Sequence, residues 1–520
     1  MPHETLTTIT PREYQKNIFE SCKNKNCLVV LPTGVGKTLI ALMLSIYTQK
    51  QFPATKTLFL APTRPLAEQH LAYFEKHLPE LFAEMALFTG KTSAKDRRKI
   101  WERTEIIFST PQCISNDLKN KLYSLEDVSL LVEDECHRCL KNYAYTFISE
   151  SYKEQAKNQK ILGLTASPGT ETEKIKQIAI NLGIESIELR TRESLDVKEY
   201  LQELEFNTIR LEFPDEFKEI DNLIKSAYEK RVQELKNRRL LFGPPSKTNI
   251  IKLQQALMAN RPSPKDFNRM IGVSLAAQAI KISHLIELFE TQTLFTTSNY
   301  IRNIYEQAAA KKSKAVQKIV KDKEFNQAAI KINELLSKEI EHPKLLILIT
   351  LMKDSILENP KNKTIIFSQF RDTVLKISTE INKIPGIISK TFVGQAKKAN
   401  SGLSQKEQQE IMNEFRSGEI NVICATSIAE EGLDIPEVNS VIFYEPIPSA
   451  IRSIQRRGRT ARLMKGKSIV LLTLDTLDEI YYYTSMSREK RMYKSIESVK
   501  EDLDAGKTLK LRKPKQKTLF

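Results

Sequence analysis

A chain of 520 residues has room for about three domains of roughly 150 residues each. With 41% hydrophobic and 28% charged residues it reads as a soluble globular protein, neither disordered nor membrane-embedded, and its apolar runs fall short of the ~20 residues a spanning helix needs. The formal charge of +16 favours a polyanionic partner, nucleic acid ahead of a membrane surface.

In chain order, the N-terminus carries Glu4 and a Thr/Ile alternation where a secretory signal would place a basic region and an apolar block, so an intracellular compartment is expected. Short apolar strands then alternate with amphipathic helices, the pattern of a parallel α/β domain. The strands are expected at Cys27–Pro32, Thr57–Pro62, Glu105–Thr110, Leu130–Glu135 and Ile161–Ser167. In such sheets functional groups gather at the carboxyl ends of the strands. The first strand delivers Thr33, Gly34, Val35, Gly36, Lys37 and Thr38 into an apolar helix. Gly34 and Gly36 let backbone N–H groups turn onto phosphate oxygens at the helix N-terminus. Lys37 brings a charge to the β/γ-phosphates of ATP, and the Thr38 hydroxyl can ligate Mg2+. Leu31 stands where the usual pattern has its first glycine. About 100 residues on, the strand from Leu130 delivers two carboxylates. Asp134 would hold the magnesium, through water, and Glu135 would orient and deprotonate the attacking water.

The six cysteines are scattered and read as reduced thiols. Cys136 and Cys139 form a C-x-x-C without the second pair a four-ligand zinc site requires. From Phe206 to Glu341 strand candidates are few and helical spacing dominates, so an inserted all-helical domain is expected, with turns at Phe242–Pro245 and Arg261–Pro264. A second α/β domain follows, with strands at Thr364–Gln369, Asn421–Ser427, Ser440–Glu445 and Ser468–Leu474. The expected division is 1–205, 206–341, 342–503 and a basic tail, 504–520. In the second α/β domain, Gln455 opens a run in which spacing of three puts Arg459 and Arg462 on one helical face, able to meet a γ-phosphate across a cleft. Arg456 and Arg457 fit nucleic-acid binding equally well. The tail ends in Gln516–Phe520, similar to a truncated sliding-clamp-binding peptide lacking its downstream aromatic pair.

Taken together, Arg12 and Gln15, Ala61–Arg64, Thr89–Gly90, Thr110–Gln112, Asp134–His137, Thr165–Ser167, Phe367–Gln369, Ala425–Ser427, Glu431–Asp434 and Gln455–Arg462 follow the order of superfamily 2 helicases. Phe392–Ala396, Gly402–Gln405 and Tyr444–Gln455 resemble the helicase portion of archaeal Hef, a relative of the Fanconi anaemia M translocase. The likeness spans about residues 5 to 500. It implies two tandem RecA-like domains flanking the helical insert. It also implies that Arg12 and Gln15 read adenine and that Thr165 and Ser167 couple hydrolysis to domain movement. Gly432 and Asp434 would face nucleotide from the second domain, and Gln455, Arg459 and Arg462 would complete the catalytic set. By the same resemblance Thr63, Arg64, Thr89, Gly90, Thr110, Gln369, Gly394 and Thr426 line the strand track, through phosphate contacts that position a strand without reading it. The insert would grip forked or four-way DNA, with Lys236, Arg238, Arg239, Lys247, Lys311, Lys312 and Lys314 as basic positions. A solvated helical surface is the plainer reading of those seven.

Two departures qualify the likeness. Cys136 replaces the commoner alanine, as in RIG-I-like RNA sensors and Dicer relatives, which keeps a double-stranded RNA-dependent ATPase as the alternative function. Full-length Hef proteins continue into a nuclease domain, and no Glu-Arg-Lys-x-x-x-Asp run is present here, so strand cutting is expected of a partner nuclease. The archaeal resemblance suggests a cytoplasmic protein, with the nucleus left open. A non-catalytic scaffold is a third reading, opposed by the intact Lys37, Asp134, Glu135, Arg459 and Arg462.

Overall fold

The computed structural model describes residues 5–200, 204–259, 266–394, 402–426, 436, 438–449, 454 and 466–511. The first domain is built on β1 (Cys27–Val30), β2 (Lys56–Leu60), β3 (Met85–Phe88), β4 (Ile106–Ser109), β5 (Val128–Asp134), β6 (Ile161–Thr165) and β7 (Ser186–Leu189). Their order is β3-β4-β2-β5-β6-β1-β7, and every pairing is parallel. Parallel strands need crossovers, and helices supply them: α2 (Lys37–Gln51), α3 (Arg64–His77), α4 (Ala94–Arg103), α5 (Pro111–Lys119), α6 (Ala144–Gln155) and α7 (Thr172–Leu182), while α1 (Glu13–Asn24) precedes β1 and the short α8 (Leu195–Lys198) follows β7. One hydrophobic core lies on each face of the sheet, which is why β1, β4, β5 and β6 are buried along their length.

The second sheet comprises β8 (Leu204–Leu211), β9 (Thr364–Phe367), β10 (Ser389–Phe392), β11 (Val422–Ala425), β12 (Ser440–Phe443) and β13 (Gly466–Thr473), ordered β10-β11-β9-β12-β13-β8 and again parallel throughout. Here the structure corrects the sequence reading. The boundary expected between residues 205 and 206 falls inside β8, which pairs with β13 along its length. The chain enters the second sheet before the insert begins. The insert is α9 (Asp215–Asn237), α10 (Lys247–Ala259), α11 (Phe267–Thr291), α12 (Leu294–Ala309), α13 (Lys314–Ile319) and α14 (Lys323–Ser337). By length and hydropathy α11 is long and apolar enough to cross a bilayer, which the scan for apolar runs did not anticipate. Its Ile282, Leu285 and Phe289 pack with Phe217 and Ile224 of α9 in the insert's core. α15 (Pro343–Glu358), α16 (Arg371–Ile381) and α17 (Gln405–Ser417) complete the second domain, and α18 (Leu477–Asp504) returns to the first. There Met492, Ile496 and Val499 are fully buried, and Lys176 pairs with Asp502 at 3.0 Å.

Insert and second domain share a buried polar junction. Lys344, on α15, is fully buried and donates to Asp478 Oδ2 at 2.6 Å and to the Thr291 carbonyl at 2.7 Å, while lying 5.0 Å over the Tyr444 ring. Leu477 N donates to Glu290 at 2.7 Å, and Ser368 Oγ to Gln292 at 3.1 Å. The hydroxyls of Thr296 and Thr373 meet at 2.9 Å. Removing one partner of a buried pair strands the other charge at a cost of about 3–5 kcal/mol. Lys344→Met is therefore expected to lower the thermal unfolding midpoint sharply, and adding Asp478→Leu to recover most of the loss; equal midpoints for the single and double variants would contradict this account.

Candidate active site

The turn after β1 is set by two glycines. Gly34 (φ 82°) and Gly36 (φ 78°) are both left-handed, and Gly36 precedes the first residue of α2. A Cβ on Gly36 would lie 2.4 Å from Gln15 Nε2, so close approach demands glycine there as much as the dihedral does. Gln15 holds the loop. Its Nε2 donates to the carbonyls of Val35 (3.2 Å) and Gly36 (3.4 Å), and its Oε1 accepts from Arg12 N at 2.9 Å. Tyr14 OH donates to the same Val35 carbonyl at 2.6 Å, and the Arg12 guanidinium stacks 4.9 Å from the Tyr200 ring centre. Lys37 folds back over the loop, with Nζ donating to Leu31 O (3.0 Å) and Pro32 O (3.1 Å).

β5 ends in three acids with three different surroundings. Glu133 is fully buried under α6, 2.7 Å from Ser149 Oγ. Burial pushes its carboxyl up to about 8, against the opposing pull of Ser149, Cys139 and Lys153. Ser149 also lies 2.9 Å from the Tyr145 carbonyl, and a single hydroxyl proton cannot serve both acceptors. A neutral Glu133 supplies the missing proton. Asp134 points the other way, with Oδ2 3.0 Å from His70 Nε2, and His70 Nδ1 is 3.3 Å from Thr38 Oγ1. Burial raises the Asp134 carboxyl, but His70 and Lys37 outweigh it and hold it below the ordinary carboxylate range. Glu135 is left-handed (φ 50°), a strained setting for a residue with a Cβ, and swings its carboxylate to 3.2 Å from His137 Nδ1. His137 in turn meets Thr165 Oγ1 at 3.1 Å, which accepts from Ser167 N at 3.1 Å.

Three buried polar atoms around this turn lack a well-formed hydrogen bond among the described residues: Thr33 Oγ1, Ser167 Oγ and Glu135 Oε2, which has the ion-pair contact with the His137 ring beside it. They come from three separate strand ends, and a polar ligand seated over the loop would satisfy them. The donor set therefore fits a nucleotide phosphate with magnesium.

Sheet order separates two rows of residues. The phosphate loop, Asp134–Glu135 and Thr165–Ser167 follow β1, β5 and β6, which are neighbours. Thr63–Arg64, Thr89–Gly90 and Thr110 follow β2, β3 and β4, the adjacent trio. In the second sheet Gln369, Gly394 and Thr426 follow β9, β10 and β11, again an adjacent trio. Arg64 pairs with Glu68 at 2.6 Å, Gly90 faces open space, and the Gly394 carbonyl accepts from Arg371 at 2.9 Å. Thr89 and Thr426 are buried, with the Thr89 carbonyl accepting from Thr92 N and Thr426 N donating to the Phe392 carbonyl. Gly432, Asp434, Gln455, Arg459, Arg462 and the Gln516–Phe520 peptide lie outside the described residues. His70, Glu133 and Tyr145, whose hydroxyl donates to the Asp134 carbonyl at 2.6 Å, were not singled out from sequence. No spacing marks them, because their place depends on which helix covers which strand. Cys136 packs against Gly163, where an added Cβ would come within 3.1 Å of its sulfur. Burial pushes the thiols of Cys136 and Cys139 up, with Glu133 adding to the rise.

Two tandem parallel-sheet domains, one carrying a phosphate loop and an acid pair on the strands either side of β6, define a nucleotide-driven helicase core. Residues 12–175 match the DEAD/DEAH box helicase family, residues 343–464 the helicase conserved C-terminal domain, and residues 216–340 a helical bundle named for an ATP-dependent RNA helicase. The crystal structure of the Pyrococcus furiosus Hef helicase domain is 42% identical with a TM-score of 0.71, covering 91% of this chain and 98% of that one. The chain belongs to the Hef-type superfamily 2 helicases. A Methanocaldococcus jannaschii protein named as an ATP-dependent RNA helicase is 37% identical over 95% of this chain and 61% of its own length. The ATP-dependent DNA helicase mph1 of Neurospora crassa is 33% identical over 89% of this chain and 41% of its own. The mouse Fanconi anemia group M protein homolog is 31% identical over 94% of this chain and 26% of its own. The chain thus spans less than two thirds of these longer relatives.

The neutral Glu133 has a measurable consequence. Both states are protonated below about pH 4.5; above it the unfolded chain releases a proton that the native state keeps up to about pH 8. Stability contributed by this site is therefore present at low pH and lost as pH rises through that window. Glu133→Gln removes the loss, so its unfolding midpoint is expected to gain on the wild type from pH 5 to pH 8. A constant difference across that range would show that Glu133 is ionised in the fold.

Proposed function

We propose that this chain is an ATP-driven DNA motor that unwinds or remodels branched DNA such as forks and four-way junctions. The observation that carries the reading is the sheet order. It supports one row of nucleotide-facing residues on β1, β5 and β6 beside a second row on β2, β3 and β4 that continues on β9, β10 and β11. Likeness to a relative named as a DNA helicase supports DNA as the substrate class.

Lys37, Thr38 and Asp134 would hold ATP with magnesium, and that nucleotide, when bound, supplies the γ-phosphoryl group whose transfer to water drives the cycle. Lys37 leaves the Leu31 and Pro32 carbonyls to meet the phosphates. Glu135 accepts the proton of the attacking water, and the His137–Thr165–Ser167 chain relays the state of that carboxylate to the edge of β6. Arg459 and Arg462 would close from the second domain, with Gln455, Gly432 and Asp434 beside them. Arg12 and Gln15 sense the adenine side through the loop that Gln15 holds. Thr63, Arg64, Thr89, Gly90, Thr110, Gln369, Gly394 and Thr426 carry the strand. The ATP-binding domain comprises β1 to β7, the second domain β8 to β13 without the helices from Asp215 to Ser337, and those helices form the branch-gripping insert.

Within the insert, residues 235–270 contain eight Lys and Arg against one acid, Asp266. Phe242 is 80% exposed and Phe267 72%, at one end of the bundle where Arg238 meets Asn268 at 3.1 Å. Exposed aromatics among cations suit stacking on unpaired bases at a branch point. Phe242→Ala with Phe267→Ala is expected to weaken fork binding several-fold more than linear-duplex binding; equal losses on both would assign these rings no role at the branch.

The principal test is steady-state ATPase with no nucleic acid, linear duplex DNA, forks, four-way junctions and duplex RNA at matched salt, since phosphate contacts weaken steeply with ionic strength. Forks and junctions are expected to stimulate most, and Glu135→Gln to lower turnover by about 10²–10⁴-fold. Because one relative and the helical-bundle family are named for RNA helicases, stimulation by RNA alone would replace the DNA reading with an RNA-dependent one.

A further inference from the structure

α3 joins the two rows of the first sheet. It begins with Thr63 and Arg64 at the end of β2, on the strand side. Six residues later, about 9 Å along the axis, it delivers His70 to the nucleotide side. His70 is 8% exposed and lies against the Phe59 ring, centroids 4.4 Å apart. Its Nε2 is 3.0 Å from Asp134 Oδ2 and its Nδ1 3.3 Å from Thr38 Oγ1. A carboxylate only accepts, so Nε2 carries the proton; Nδ1 of a neutral ring then accepts from the Thr38 hydroxyl. Both bonds leave lone pairs on Thr38 Oγ1 and Asp134 Oδ1 aimed elsewhere. An outer hydrogen-bonding group of this kind fixes how ligands face a cation.

We propose that His70 is a positioning residue that couples nucleic acid to nucleotide, transmitting a strand-induced shift of α3 to the orientation of Thr38 and Asp134. The inference rests on the motor reading above. Coupling between two ligands is reciprocal, so it can be read from strand affinity alone, without turnover. A helix that carries both a strand contact and this imidazole cannot shift at one end without moving the other. The plainer role, filling space against Phe59, makes a different prediction, because packing can be kept while both nitrogens are removed.

The experiment measures the affinity of a labelled forked DNA without nucleotide and with Mg2+ plus a non-hydrolysable ATP analogue, in wild type, His70→Phe and His70→Gln. Phenylalanine keeps a ring against Phe59, and glutamine restores one donor and one acceptor. The wild-type affinity ratio is expected within about 5–150-fold. In His70→Phe it should fall to within about twofold of unity at unchanged nucleotide-free affinity, and His70→Gln should recover much of it. A wild-type ratio in His70→Phe overturns the inference, as does a loss of nucleotide-free affinity that glutamine does not repair. A wild type that binds no fork, or shows no ratio, would sink the motor reading itself and the inference with it.

Discussion

A parallel sheet covered by helices on both faces leaves its polar chemistry one outlet, the carboxyl ends of the strands. Both sheets here obey that constraint, and the order of strands then decides which residues can meet. Thr38, Asp134 and Thr165 are far apart in sequence, yet they follow strands or helices that lie side by side at β1, β5 and β6. The same rule gathers Thr63, Gly90 and Thr110 on the neighbouring trio. β2 pairs with β5 on one side and β4 on the other, so the helix leaving it is the natural bridge between the two groups.

The limits of what could be read from sequence follow from this geometry. Central strands are apolar on both faces and announce themselves, as Leu130–Val132 and Ile365–Phe367 do. The four strands that the sequence reading did not recognise, β3, β7, β8 and β10, are the four edges of the two sheets. An edge is covered on fewer sides, so Ser389–Phe392 can carry Lys390 and Thr391, and β8 can mix Glu205, Asn207 and Arg210 with its apolar residues. Mistaking β8 for the start of the insert was the direct result. The phosphate loop and the acid pair were legible because strand, loop and helix chemistry coincide within a few residues. Glu133 was not, since its neutrality comes from burial under α6, which outweighs the pull of Ser149. Gln15 was recognised by its place before the loop, but its grip on the Val35 and Gly36 carbonyls is visible only in three dimensions.

The insert's topology bears on how such a machine moves. Because the chain builds β8 before leaving for the helices and returns through α15, the insert departs from and rejoins one domain. The Lys344–Thr291 bond, the Ser368–Gln292 bond and the Thr296–Thr373 contact then fasten it to that domain at buried positions, where breaking any one leaves a desolvated polar group behind. Insert and second sheet therefore form one body, and on the proposed function a branch held by the insert would be carried by the second domain.

What remains free is the relation of that body to the first domain, and α18 constrains it. The helix starts at the buried junction with Asp478 and ends in the first domain's core with Met492, Ile496 and Val499. Between these anchors it borders a cavity of about 480 Å³ lined by Phe206, Phe443, Ile447, Val470, Tyr482 and Met486. A continuous helix fixed at both ends ties the second domain to the first and bounds how far the two sheets can part. On the proposed function, a stroke driven from the nucleotide side of the first sheet would reach the insert as a displacement that α18 bounds.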